Sequence, residues 1–434
     1  MTLYIMAIIC WGNLAKAAND TLKIEQSIMG YVETHDENPN AHMGEDYALG
    51  AHRLATMLDH SPYSVFNRFL YPQSRSYKAV VDPAGNGDVV DIQAGIDYVN
   101  SIGGGVVFIK AGTYNLTDVL TLYSNIELEG EGPGLTILNF TGAAKNIQIV
   151  GEVRTPILDT YGIPQNSKTV TGVNSDFLTS VFPGDWMILY TAWYKIASVD
   201  SDTELTLEDT YRGPTLILQE DPGIVVFKEN VALRNFTVQG ANNGNYITSS
   251  GVYSTYAAFL NIENVITRDN ESYGFCLDYN WQGSCKNTQG IGNGFSGFQD
   301  SNCRGFSYEG CLAYGNEDDG FMLQTGSAVP AAITDCDSIM NGQHGFNVNF
   351  GHKYSLKGCN AYRNQVDGFR LYGGSFVKIL GCHSEKNEEV GIDIEGGASP
   401  ATFSVIVGNT VVNNTVDSIR DNGTNSIVEH NQES

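Results

Sequence analysis

The sequence predicts an all-β fold, a parallel β-helix built as a solenoid of coils about 23 residues long. A repeat carries most of that prediction. Asn, three further residues, then Gly and a large apolar residue recur six times, with Asn at 270, 293, 316, 341, 364 and 387. The Gly positions are 274, 297, 320, 345, 368 and 391, followed by Phe275, Phe298, Phe321, Phe346, Phe369 and Ile392. Composition agrees, because 48 Gly against 12 Pro in 434 residues suits many tight turns. Cysteine spacing is the third observation. Cys311, Cys336, Cys359 and Cys382 each stand five residues before a repeat Asn, and none of the eight Cys forms the Cys-x-x-Cys pair that zinc sites use. They are predicted as small, buried, reduced side chains.

Successive coils stack ~4.8 Å apart, so equivalent residues form columns. The Phe column should fill the interior. Leu277, Leu323, Val348, Leu371 and Ile394 should point inward beside it, with Asp300 interrupting their column. The Asn column should hydrogen-bond along the stack. The repeat Gly should supply a backbone conformation that other residues resist.

Four regions follow in order. Residues 1–76 read as an attachment segment. Apolar residues between 14 and 32 lie at helical spacing, and the run 3–10 before Ala15-Lys16-Ala17 offers a secretory signal as an alternative. His35, His42, His52 and His60 are weak candidate metal ligands, and their spacing matches no helical metal pair. This segment resembles the stalk segments of tail proteins of tailed viruses, on Pro39-Asn-Ala-His42-Met-Gly44, Leu49-Gly-Ala-His52-Arg53 and Asp59-His60 before Ser64-Val65. The resemblance implies a trimer joined to other virion tail proteins.

Residues 77–163 begin the solenoid. Ile92, Ile96 and Val99 form a helical stripe that Gly103-Gly104-Gly105 stops, and strands at 106–109, 120–122, 126–128 and 136–138 follow. A helix leading into a ladder of short strands resembles the opening of pectate-lyase-like right-handed parallel β-helices, and implies that the helix covers the open end. Residues 164–219 alternate apolar and polar positions as antiparallel hairpins do, and read as a small inserted β-domain, with Trp186, Trp193 and Tyr194 as its core or as a sugar platform. Residues 220–434 carry the main repeats.

Charge limits function. With 24 Lys+Arg against 49 Asp+Glu the net charge is −25, which argues against nucleic acid, and no apolar stretch is long enough to span a membrane. The residues preceding each repeat Gly form a column that includes Asp319, His344 and Asp367, with Asp318 adjoining and Arg370 on the next outward position. A carboxylic acid, a base and an Arg on one strip can protonate a glycosidic oxygen, or remove a proton beside a uronate carboxylate. The strip resembles that of polygalacturonases, on Asp318-Asp319, His344-Gly345 and Arg370-Leu371. It departs where Gly294-Phe295-Ser296 replaces the family's Asn-Thr-Asp and Tyr372 its Lys. Outward residues Gln299, Gln324, Asn347, Asn349, Arg370, Tyr372, Asp393 and Glu395 form a candidate glycan-binding strip. No cofactor is expected. The reading is a virion tail fibre or tailspike that binds a host cell-surface polysaccharide, with a secreted polysaccharide lyase, glycoside hydrolase or adhesin as alternatives.

Overall fold

The computed structural model describes residues 77–433, apart from 83, 85–86, 88–90, 142–145, 157–159, 190–191, 219–222, 241–248, 325–329 and 397–399. The attachment segment, its helical stripe and His35, His42, His52 and His60 lie outside the described residues.

A parallel solenoid forms from two stacked sheets, one of 22 strands and one of ten. The ten-stranded sheet takes one strand from each coil, from Leu120–Thr121 to Asp417–Asp421. Its register aligns Phe275, Phe298, Phe321, Phe346, Phe369 and Ile392. The five Phe rings stack inside the coil at centroid separations of 4.6–4.9 Å and within 8° of parallel. Leu277, Leu323, Val348, Leu371 and Ile394 are buried beside them, and so is Asp300.

The repeat Asn column is a continuous hydrogen-bond ladder. Each Nδ2 donates to the Oδ1 of the next coil at 2.8–3.0 Å from Asn270 to Asn387. Asn146 and Asn414 extend the ladder at its two ends. The Oδ1 atoms also accept main-chain N–H groups, as from Asn316 to Asn341 at 3.1 Å, so the ladder satisfies backbone and side chain together.

The repeat Gly residues do not have the conformation expected of them. None of the six has a positive φ; a Cβ on Gly345 would stand 2.5 Å from the Gly368 oxygen. They are small because the neighbouring coil's carbonyl passes too close for a side chain. Left-handed residues do mark the corners, but at other columns: Asn287, Gly310, Asp335, Gly358 and Gly381 at one, Gly315, Met340, Arg363 and Lys386 at another.

The solenoid opens with α1 (Ile92–Ser101), whose Asp91 side chain accepts the Ala94 N–H and whose Ile92, Ile96 and Val99 are buried. The helix packs on the first strands, covering their exposed edge. An eight-stranded antiparallel sheet interrupts the coils. It runs from Glu152–Arg154 to Ile224–Val226, wider than 164–219, because these two strands pair with each other and extend the sheet past that span. Trp186 and Trp193 pack with Phe227 and Trp281 where the insert meets the solenoid, and Trp186 Nε1 donates to Glu229 at 2.8 Å. Tyr194 packs on the insert's core. These aromatics therefore serve as core and junction and form no open sugar platform.

Candidate functional site

The outer face of the ten-stranded sheet carries the sequence-predicted strip. Alternation along each strand turns every second residue outward. Cys276, Gln299, Met322, Asn347, Arg370, Asp393 and Arg420 align in one column, and Asp278, Ser301, Gln324, Asn349 and Tyr372 in the next. Side chains on this face bond from coil to coil. Gln299 Nε2 donates to Gln324 at 3.4 Å. Arg370 pairs with Glu395, and its guanidinium lies 5.0 Å from the Tyr372 ring. Asp393, 1% exposed, is held by Arg420 through Nε at 2.8 Å and a second nitrogen at 2.5 Å. Asp393, Glu395, Gly396, Arg420 and Asn422 line a shallow depression of about 640 Å³.

The column preceding the repeat Gly lies at the edge of this sheet. Gly297 donates its N–H to the Asp319 carbonyl, Gly320 to His344 and Gly345 to Asp367, which fixes the three as stacked neighbours. The Asp319 Oδ1 accepts the His344 N–H at 3.0 Å, and Oδ2 accepts Asn347 Nδ2 at 2.8 Å. His344 Nδ1 stands 3.1 Å from Asp367 Oδ2 and 3.3 Å from the Asp367 N–H. These two contacts demand opposite roles of one nitrogen. An Nδ1 that carries a hydrogen donates to Oδ2 and one that does not accepts the Asp367 N–H, so the ring's tautomer selects between them. Asp367 Oδ1 accepts the Val390 N–H at 3.0 Å.

Burial pushes the Asp319 carboxyl up to about 6; nearby Asp318 adds to the rise, and His344 opposes it. Burial also raises Asp318, whose Oδ2 lies 3.5 Å from the Ser296 hydroxyl. Tyr273, at the head of the column, is pushed up to about 12 by burial, with Cys276, Asp318 and Asp319 adding to it. Tyr273 and Arg420 are not among the residues singled out from the sequence. The signal for Arg420 was present: Asn414, Ser418 and Ile419 continue the repeat with Ser in place of Gly. Among the described residues, no three His, Cys, Asp or Glu side chains converge as metal ligands.

Comparison with known proteins agrees with this architecture. The family described as "Right handed beta helix region" matches residues 331–432. The mannuronan C5-epimerase AlgE1 of Azotobacter vinelandii is 26% identical over 251 residues, which is 55% of this chain and 15% of that protein. AlgE3 of the same organism is 26% identical over 264 residues, 58% of this chain and 12% of that protein. The chain thus spans under a sixth of the length of these relatives. Among solved structures, the tailspike protein gp49 of Pseudomonas phage LKA1 aligns with a TM-score of 0.50 and 14% identity, over 86% of this chain and 74% of that one. The chain is a right-handed parallel β-helix that resembles phage tailspikes in fold.

Proposed function

We propose that this protein is a virion tailspike-type component that binds a host cell-surface polysaccharide along the outer face of its ten-stranded sheet. One observation carries the reading: coil after coil sets polar side chains in register on this face from Gln299 to Arg420, interrupted in one column by Met322. A strand spacing of ~4.8 Å is close to the length of one sugar unit in an extended chain, so such a strip offers equivalent contacts to successive sugars. Tyr372, set under Arg370, supplies an apolar surface among the polar groups. On this reading residues 1–76 join the protein to other tail proteins as a homotrimer.

A second reading, polysaccharide modification, is favoured by the carboxyl pair Asp318 and Asp319 beside His344, with Asp319 pushed up to about 6. An acid in that range can hold and release a proton near neutral pH. The likeness to mannuronan C5-epimerases supports it as well.

The experiment measures both. Host polysaccharide is incubated with wild-type, Tyr372→Ala and Asp319→Asn proteins. Binding, new reducing ends, unsaturated uronates and inverted sugar centres are then followed. The binding reading expects retention of polysaccharide by the wild type, weakened in Tyr372→Ala, with no altered product. A product made by the wild type establishes the second reading instead, and its loss in Asp319→Asn at an unchanged melting temperature assigns the chemistry to this column.

A further inference from the structure

We infer that the glycan taken by this face is neutral: a hydroxyl-rich chain without uronate, sulfate or phosphate groups. The inference rests on the glycan-binding reading above and narrows it. It starts from where the cations of the strip are spent. Arg370 is closed by Glu395, and Arg420 by both oxygens of Asp393. From Phe275 to Ile419, the column positions facing outward hold no Lys. Six carboxyl groups stand on the strip or at its edge: Asp278, Asp318, Asp319, Asp367, Asp393 and Glu395. An anionic sugar must therefore break an internal ion pair to find a cation, and it meets unpaired like charge elsewhere. The net charge of −25 repels a polyanion at longer range as well.

The second observation concerns acceptors. The side-chain oxygens of Asn347 and Asn349 are shielded from water and have no hydrogen-bond partner among the described residues. The Asn347 amide cannot be turned round, because its Nδ2 donates to Asp319 at 2.8 Å. Buried acceptors left without donors are costly, and on the half-buried Asn349 a change of rotamer that brings the oxygen to the surface lets a ligand's donors recover that cost. Sugar hydroxyls are such donors, and a neutral sugar brings them without a carboxylate for the strip's own carboxyl groups to repel. The strip thus lacks the free cation that an acidic glycan requires and holds acceptors that sugar hydroxyls satisfy.

The full chain is screened on an array of bacterial capsular polysaccharides, neutral members beside members bearing uronate or phosphate, at low and high salt. The expected result is binding confined to neutral members and insensitive to salt. It should weaken about tenfold in Asn349→Ala and persist in Asn349→Asp, which keeps the acceptor. Glu395→Gln, which frees Arg370, should gain salt-sensitive binding to acidic members. Wild-type binding confined to acidic members and falling with salt overturns the neutral-ligand inference while leaving glycan binding intact. Binding to no member overturns the glycan-binding reading itself.

Discussion

Replacing Asp300 by Asn should stabilise this protein, and by more as pH rises. Asp300 occupies a core column between Leu277 and Leu323 and is 1% exposed. Its Oδ2 accepts the Tyr308 hydroxyl at 3.2 Å, with Cys303 and Tyr354 close by. Burial outweighs these donors and pushes the carboxyl from 3.8 up to about 7. The folded protein then keeps a proton that the unfolded chain releases, so stability is lost as pH rises from the unfolded value to the folded one. A rise of about three units corresponds to about 4 kcal/mol, fully lost above pH ~8 and absent near pH ~3. Asn has nearly the same shape, can still accept from Tyr308 and does not titrate. At ~2 cal/mol/K of unfolding entropy per residue, about 4 kcal/mol across this solenoid is a Tm difference of about 5 °C. The assay is thermal melting of wild type and Asp300→Asn at one scan rate, from pH ~5 to ~8. The variant's advantage should widen across that range. Parallel profiles, or a variant less stable than wild type at pH ~8, would refute a buried neutral carboxyl.

Maleimide labelling of the native protein, read by peptide mass, should modify Cys276 first among the described cysteines. It is half-buried on the outer strip, whereas Cys285, Cys303, Cys311, Cys336, Cys359 and Cys382 are free thiols buried in the core. Asn341→Ala should cost about 3 kcal/mol and lower the Tm by several degrees, because it removes bonds from Asn316 and to Asn364 and Ser338 in the middle of the ladder. A Tm within a degree of wild type would argue against the ladder as a main source of cohesion.

The solenoid was legible because its period is nearly constant. A 23-residue spacing aligns Phe275 with Phe298 and Asn270 with Asn293 without reference to any long-range contact. The interior columns follow directly, since stacking of equivalent residues is the only freedom such a coil has. The role of the repeat Gly was not legible, because a sequence cannot distinguish Gly required by φ from Gly required by a passing carbonyl. The insert's edges were hidden for a different reason. Glu152–Arg154 and Ile224–Val226 find each other across some 70 intervening residues, so no local pattern marks their pairing. On the outer face the columns were readable, but the ion pairs were not. That Arg370 would spend its charge on Glu395 depends on side-chain reach between coils.

The edge column shows how structural and chemical demands compete for the same residues. Asp319 accepts the His344 N–H, Asp367 accepts the Val390 N–H, and the His344 ring reaches Asp367. Each of these three side chains ties its coil to the next, which accounts for acidic and imidazole groups here without any reaction. Each oxygen of Asp319 accepts one bond, from the His344 N–H and from Asn347, and keeps a second lone pair. A general base needs a free lone pair aimed at substrate. In and beside this column, Asp318, Asp319, His344 and the Tyr273 hydroxyl are the groups that can exchange a proton with a substrate. Modification chemistry, if this face performs it, draws on these groups, with Asp319, pushed up to about 6, placed to hold and release a proton. Asp319→Asn keeps an acceptor for the His344 N–H at Oδ1 but turns an amide toward Asn347 Nδ2, setting donor against donor. A product lost in that variant is therefore assigned to lost chemistry only where the variant's melting temperature matches wild type.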